Sequence, residues 1–222
     1  MSRFQIVVAV LLLFVGIHFY TQYKLGKTLE SEMAAAGVAT PLFDPSKPST
    51  IVAFGDSLTA GVGAPPGKSY PDQLSKLLGV PIVNAGRSGE RTDEGIRRLP
   101  AVLTQYKPDL LILEEGANDL LASRSRRQIA ANLVKMVDLA KKTGAKVLLL
   151  GFPDPDLLEL SLGSDLDLYE KVAERTGVAY LPDLFGDVLT DEELVSDDFV
   201  HPNAKGYRRI AEKIYHYLLE RP

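Results

Sequence analysis

The 222-residue chain contains no cysteine. Disulfides, thiolate metal sites and a cysteine nucleophile are therefore excluded, although the compartment is left open. Histidine is scarce. His18, His201 and His216 are too few and too scattered for a histidine-rich metal site, so no metal or other cofactor is expected. Excess basic charge is also missing. A formal charge of -4 and a pI near 5.5 argue against nucleic acid as a partner, because phosphate binding favours a basic face. Internal repeats and low-complexity tracts are absent. Long apolar runs are limited to one, residues 4–20, which as a helix at about 1.5 Å per residue crosses roughly 26 Å, close to one hydrocarbon core. Arg3 precedes it, and the small residues suited to cleavage (Ala34 to Ala36, Val38, Ala39) lie well past the usual distance. An uncleaved signal anchor over residues 1–25 is expected, with a cleaved signal peptide as the alternative.

What is present reads as one globular domain plus that appendage, with 45% hydrophobic and 24% charged residues. Residues 26–49 read as a linker, since 37–49 carry three prolines and no periodicity. From residue 50 to 222, apolar runs and amphipathic stretches alternate. Strands are expected at 50–54, 81–85, 109–114, 146–151 and 178–181. Helices are expected at 69–78, 92–106, 125–143, 166–176 and 203–220, with a short helical turn near 190–195. Ile129, Leu133, Met136, Val137 and Ala140 share a helix face, and Ser125 with Gln128 reads as a capping box. Short apolar strands alternating with helices imply an α/β fold, a doubly wound parallel sheet covered on both faces. Ligands of such sheets bind outside the carboxyl ends of the strands. Ser57, Gly89 and Asn118 each follow an expected strand and should meet there.

Ser57 sits in a tight Gly55-Asp56-Ser57 turn just past the first strand. A serine hydroxyl is a poor nucleophile without a base, and that base needs a partner to fix its tautomer. Asp198, three residues before His201 in a loop entering the last helix, can supply the pair. Asp197 is adjacent and is placed in solvent. The elbow Gly-x-Ser-x-Gly of α/β-hydrolases is not matched, because Thr59 stands where its second glycine belongs. Acyl transfer also needs donors for a developing oxyanion. Candidates are the Ser57 N–H, a backbone N–H between Asn84 and Gly89, and the Asn118 side-chain amide, although Asn also caps turns.

Phe54-Gly55-Asp56-Ser57-Leu58-Thr59, Asn84 through Gly89, Gly116-Ala117-Asn118-Asp119, and Asp198-Phe199-Val200-His201-Pro202-Asn203 resemble the four sequence blocks of the SGNH (GDSL) hydrolases, in family order. The likeness is to the bacterial arylesterase, thioesterase and lysophospholipase branch. It implies a flavodoxin-like five-stranded fold. Ser57 is then the nucleophile, Ser57, Gly89 and Asn118 form the oxyanion hole, and His201 is a base supported by Asp198. It further implies cofactor-independent hydrolysis of carboxylic esters or thioesters, of short to medium acyl or aryl type, with lysophospholipids as a further candidate substrate. A carbohydrate O-deacetylase acting on envelope polymers is the alternative within the family. Residues 151–159 are acidic where thioesterase relatives carry a Leu-Pro-Pro-Asn-Tyr-Gly type of loop near the acyl chain. The apolar segment is expected to anchor the chain in a bacterial inner membrane with its domain facing the periplasm; cleavage and secretion to the periplasm is the alternative.

Other features invite different readings. Gly61-Val62-Gly63-Ala64-Pro65-Pro66-Gly67 imitates a dinucleotide fingerprint, but its third glycine is one position late and two prolines intervene. A loop is expected. Asp154, Asp156, Glu159, Asp165 and Asp167 read as a solvated acidic loop, not a cation site. Arg124, Arg126 and Arg127 open a helix against its dipole and are candidates to hold an anionic head group, with solvated surface as the competing reading.

Overall fold

The computed structural model describes residues 42–154 and 165–220. The apolar segment 4–20 and residues 155–159 of the acidic stretch lie outside them. Among the described residues no helix is long and apolar enough to cross a membrane. The elements follow in the order β1 (Ile51–Gly55), α1 (Ser57–Ala60), α2 (Tyr70–Leu78), β2 (Ile82–Gly86), α3 (Thr92–Tyr106), β3 (Leu110–Leu113) and α4 (Ala117–Leu121). Then come α5 (Arg126–Lys142), β4 (Lys146–Leu150), α6 (Asp167–Thr176), β5 (Ala179–Leu181), α7 (Gly186–Leu189) and α8 (Ala204–Glu220). The five strands form one parallel sheet in the order β2-β1-β3-β4-β5, with Ile51 beside Ile82 on one side and Leu110 on the other. This is the flavodoxin-like order.

Side chains of a strand alternate between the two faces of a sheet. Every residue of β1 and β3 is buried, so both faces must be covered. The helices accordingly sort into two packed groups, α8 against α2 and α7, and α5 against α3 and α6. β2 and β5 lie at the edges and are only half-buried. Local signals set the helix ends. Ser69 and Asp72 form a reciprocal capping box at the start of α2, and Asn203 Oδ1 accepts from the N–H groups of Lys205 and Gly206 before α8. α1 lies so close to the sheet that a Cβ on Gly86 would stand 2.2 Å from the Ala60 nitrogen.

Four expectations are corrected. Leu42 and Phe43 belong to the domain although they fall in the expected linker, because Phe43 is buried in the core. The helical turn expected at 190–195 lies at Gly186–Leu189, where Val188 is buried; the Asp191 side chain instead accepts from Glu193 N and closes a turn. Ser125 is the N-cap of α5 but makes no side-chain cap bond, and Gln128 reaches forward to Asn132 Oδ1. Asp165 is drawn out of solvent, accepting from the Tyr180 hydroxyl and the Asp183 N–H.

Candidate active site

Three neighbouring strand ends deliver the site. After β1 the chain turns at Asp56, whose Oδ1 accepts the Leu58 N–H at 2.9 Å, and α1 begins with Ser57. Gly61, at φ +91°, closes α1 after one turn. Gly89 lies on the loop after β2, and Asn118 in the first turn of α4 after β3. The chain winds outward from β1 to β2, then crosses back to β3. The β1/β3 boundary is therefore the topological switch point, where such sheets bind ligands.

Asp119 explains how Asn118 is aimed. Its carboxylate accepts from both the N–H and the hydroxyl of Thr92, at 2.8 and 2.9 Å, and Asn132 donates to the same hydroxyl. α4 is thus tied to α3 and α5 on one side, while Asn118 turns toward the cavity on the other.

The loop before α8 carries the base. Asp198 Oδ1 accepts from Ser196 Oγ, Val200 N and His201 N, which folds the loop tightly and holds Phe199 at φ +56°. Asp198 Oδ2 is left for His201 Nδ1 at 2.7 Å, and His201 Nε2 lies 2.9 Å from Ser57 Oγ. With Nδ1–H donated to the carboxylate, Nε2 is the acceptor able to take the serine proton. Burial opposes the charge on Asp198. Hydrogen bonds from the His201 and Val200 amides, the His201 ring and Ser196 outweigh it and hold the carboxyl well below the usual range. Asp197 is exposed, as expected.

The oxyanion donors converge less simply. The N–H groups of Ser57 and Gly89 have no intramolecular acceptor among the described residues. Gly89 adopts φ +76°, a conformation that favours glycine, with open space where a Cβ would stand. Asn118 Nδ2 instead donates to Asp56 Oδ2 at 2.8 Å and to Glu90 O at 3.0 Å. Ser57, Gly89, Asn118 and His201 line a cavity of about 170 Å³, together with Leu58, Ala117, Leu121, Phe152 and Val200. Arg124, Arg126 and Arg127 are exposed and do not line it, and Arg126 pairs with Asp154 at 3.0 Å.

Residues 53–209 match the sequence model of the GDSL-like lipase/acylhydrolase family. The chain belongs to that family. An arylesterase of Vibrio mimicus is 36% identical over 177 residues, covering 77% of this chain and 88% of the relative. Esterase TesA of Pseudomonas aeruginosa is 31% identical over 75% of this chain and 86% of its own. A crystal structure of TesA superposes with a TM-score of 0.69 at 31% identity, covering 78% of this chain and 99% of that one. A thioesterase/protease/lysophospholipase of Escherichia coli is 29% identical over 73% of this chain and 80% of its own. This GDSL hydrolase is accordingly an ester-bond hydrolase of the esterase and thioesterase branch.

Beneath the GDSL turn lies a group of carboxyls that the sequence reading passed over. Asp56, Glu90, Glu114 and Glu115 are all buried. Glu90 is matched by Arg98, which grips both its oxygens, donates to Ala85 O and lies 4.0 Å over the Phe54 ring. The other three have no ion-pair partner among the described residues. Burial pushes Asp56 up to about 6, against hydrogen bonds from Leu58, Glu114 and Asn118 and the attraction of His201. Burial, then the charge of Asp56, raises Glu114 well above the ordinary value; burial and Glu114 do the same to Glu115. Glu114 Oε2 accepts from Thr59 Oγ1 at 3.0 Å and Asp56 N at 3.3 Å, bracing the turn that presents Ser57. The available signal was two adjacent acids directly after the apolar run of β3.

Proposed function

We propose that the protein hydrolyses carboxylic esters and thioesters of short to medium acyl or aryl type through an acyl-enzyme on Ser57. The observation that carries this is the unbroken chain from Asp198 Oδ2 through His201 to Ser57 Oγ, opening into the cavity. Ser57 Oγ attacks the carbonyl carbon as His201 Nε2 takes its proton. The carbonyl oxygen becomes an oxyanion facing the Ser57 and Gly89 N–H groups and the Asn118 amide. His201 then protonates the leaving alcohol or thiol, and the bond to it breaks. Water repeats the sequence on the acyl-enzyme and releases the acid. Asp198 keeps the ring in the required tautomer and stabilises the imidazolium.

A cavity of about 170 Å³ is smaller than the roughly 300–1,000 Å³ that drug-sized ligands occupy, which supports a short acyl group. Five apolar side chains in its lining support an ester with an apolar portion over an acetylated glycan. Arg124, Arg126 and Arg127 stand outside the lining, so any hold on an anionic group concerns parts of a substrate beyond the cavity. The apolar stretch 4–20 supports anchoring in a bacterial inner membrane with the domain in the periplasm. An active alkaline phosphatase fused after residue 222 and retention through carbonate washes are the results expected of it.

The central test is a fluorophosphonate probe with peptide mass spectrometry, alongside p-nitrophenyl esters of increasing length, acyl-CoAs, lysophospholipids and acetylated glycans. The adduct is expected on Ser57 and turnover on the shorter esters. Labelling that survives Ser57→Ala unchanged overturns the nucleophile, and turnover of acetylated glycans alone overturns the substrate class.

A further inference from the structure

A primary amide has two hydrogens to give. In Asn118 both are taken, one by a buried carboxylate and one by a backbone carbonyl, Asp56 Oδ2 and Glu90 O. As it stands, the side chain offers nothing to a substrate oxygen. The two acceptors are unequal. A hydrogen bond to an ionised carboxylate is shorter and roughly twice as strong as one to a neutral carbonyl. A ground-state ester carbonyl, itself neutral, competes evenly with Glu90 O and gains little. An oxyanion outcompetes Glu90 O but has no such advantage over Asp56.

We propose that Asp56 is the positioning residue of Asn118: it keeps one amide hydrogen throughout, so that the other leaves Glu90 O for the substrate oxygen only as that oxygen becomes anionic. The proposal rests on the reading of Asn118 as an oxyanion donor and deepens it. Asp56 is suited to the part because it cannot move. It is fully buried, its N–H is held by Glu114 Oε2, its Oδ1 by the Leu58 N–H, and only Oδ2 faces Asn118. A contact made in the transition state and withheld from the ground state raises kcat and leaves KM alone.

The two oxygens of Asp56 also give the test its variants. Asp56→Ser keeps an oxygen for the Leu58 N–H, since serine is a good N-cap, and lacks the second oxygen that reaches Asn118. Asp56→Asn keeps the cap oxygen and sets an NH₂ group against the NH₂ of Asn118. These changes are made in the full-length protein, alone and combined with Asn118→Ala, with kcat and KM measured on p-nitrophenyl butyrate and folding checked by thermal melting. Asn118→Ala and Asp56→Ser are each expected to lower kcat by about 10²–10³-fold at nearly constant KM, the usual loss of one oxyanion donor. The double variant should be no worse than about threefold below the poorer single, because both changes remove one interaction. Should Asp56→Ser fail to fold, the same cycle is read with Asp56→Asn, which is expected to lose kcat in the wild-type background and to lose nothing more in Asn118→Ala. Losses that multiply, or an Asp56 variant with wild-type kcat beside a crippled Asn118→Ala, overturn the positioning role alone. If Asn118→Ala changes only KM, the donor reading falls and takes this proposal with it.

Discussion

Glu115 is a carboxyl with neither oxygen bonded among the described residues, sealed beneath the site beside Glu90 and Glu114. Its folded pKa is raised well above the ordinary 4.5. The unfolded chain therefore gives up this proton first as pH rises. Stability is undiminished below the unfolded value and declines above it until the folded group ionises too. Glu115→Gln should thus raise Tm at pH 8 and leave it nearly unchanged at pH 4; a gain of about 1 kcal/mol corresponds to about 2–4 °C in a protein of this size. Calorimetry at the two pH values checks it, and equal shifts at both would contradict it. Asp198 behaves oppositely, held ionised by its donors. In Asp198→Asn the side-chain oxygen stays with the Val200 and His201 amides, so the new NH₂ faces His201 Nδ1 and puts the ring proton on Nε2, where it cannot accept from Ser57. A fall in kcat of about 10⁴-fold is expected, by analogy with the wrong-tautomer effect in serine proteases. A loss under tenfold would show that the ring needs no such partner.

At the scale of elements, α1 and the end of β2 touch so closely that one methyl group matters. Gly86→Ala places a Cβ 2.2 Å from the Ala60 nitrogen and 2.6 Å from the Thr59 carbonyl carbon, both backbone atoms that cannot swing aside. The helix that starts with Ser57 must shift. The expected result is a loss of kcat of at least about tenfold, since a misplacement near 1 Å can cost about 10²-fold, measured with the ester panel under conditions where the variant remains folded. All five strands and the five long helices were legible in the sequence to within a residue at each end, because apolar runs and capping residues such as Ser69 and Asn203 are local signals. α1 and α4 were not. Each is a single turn of four or five residues, held by contacts distant in sequence, Thr59 to Glu114 and Asp119 to Thr92. The same distinction divides the site. Ser57, His201, Asp198, Gly89 and Asn118 stand in recognisable blocks, whereas Asp56, Glu90 and Glu114 acquire their roles only when three strand ends meet.

For the whole molecule, the parallel sheet and its two helix layers make one core running from Phe43 to Leu218. Phe43 enters it ahead of β1, inside a stretch whose prolines disguise it as linker. Truncating such a buried ring to methyl usually costs about 3–5 kcal/mol. Phe43→Ala should lower the urea midpoint accordingly with little change in kcat/KM for the folded fraction. An unchanged midpoint would mean that the domain begins after this residue.

The order of the catalytic groups along the chain has a consequence for biosynthesis. Ser57 precedes His201 by 144 positions. At about 5–20 residues per second, a ribosome makes the nucleophile roughly 7–30 s before its base. α8 comes later still, and its Tyr207 hydroxyl ties the end of the chain back to Val62 O, at the loop that closes α1. Through most of translation, then, the hydroxyl exists without an activating partner. A fragment cut short before α8 lacks Tyr207, Ile210, Ile214 and Leu218 from its core. Hydrolytic power is thus expected to arrive last, and a product that ends before His201 should be inert toward esters.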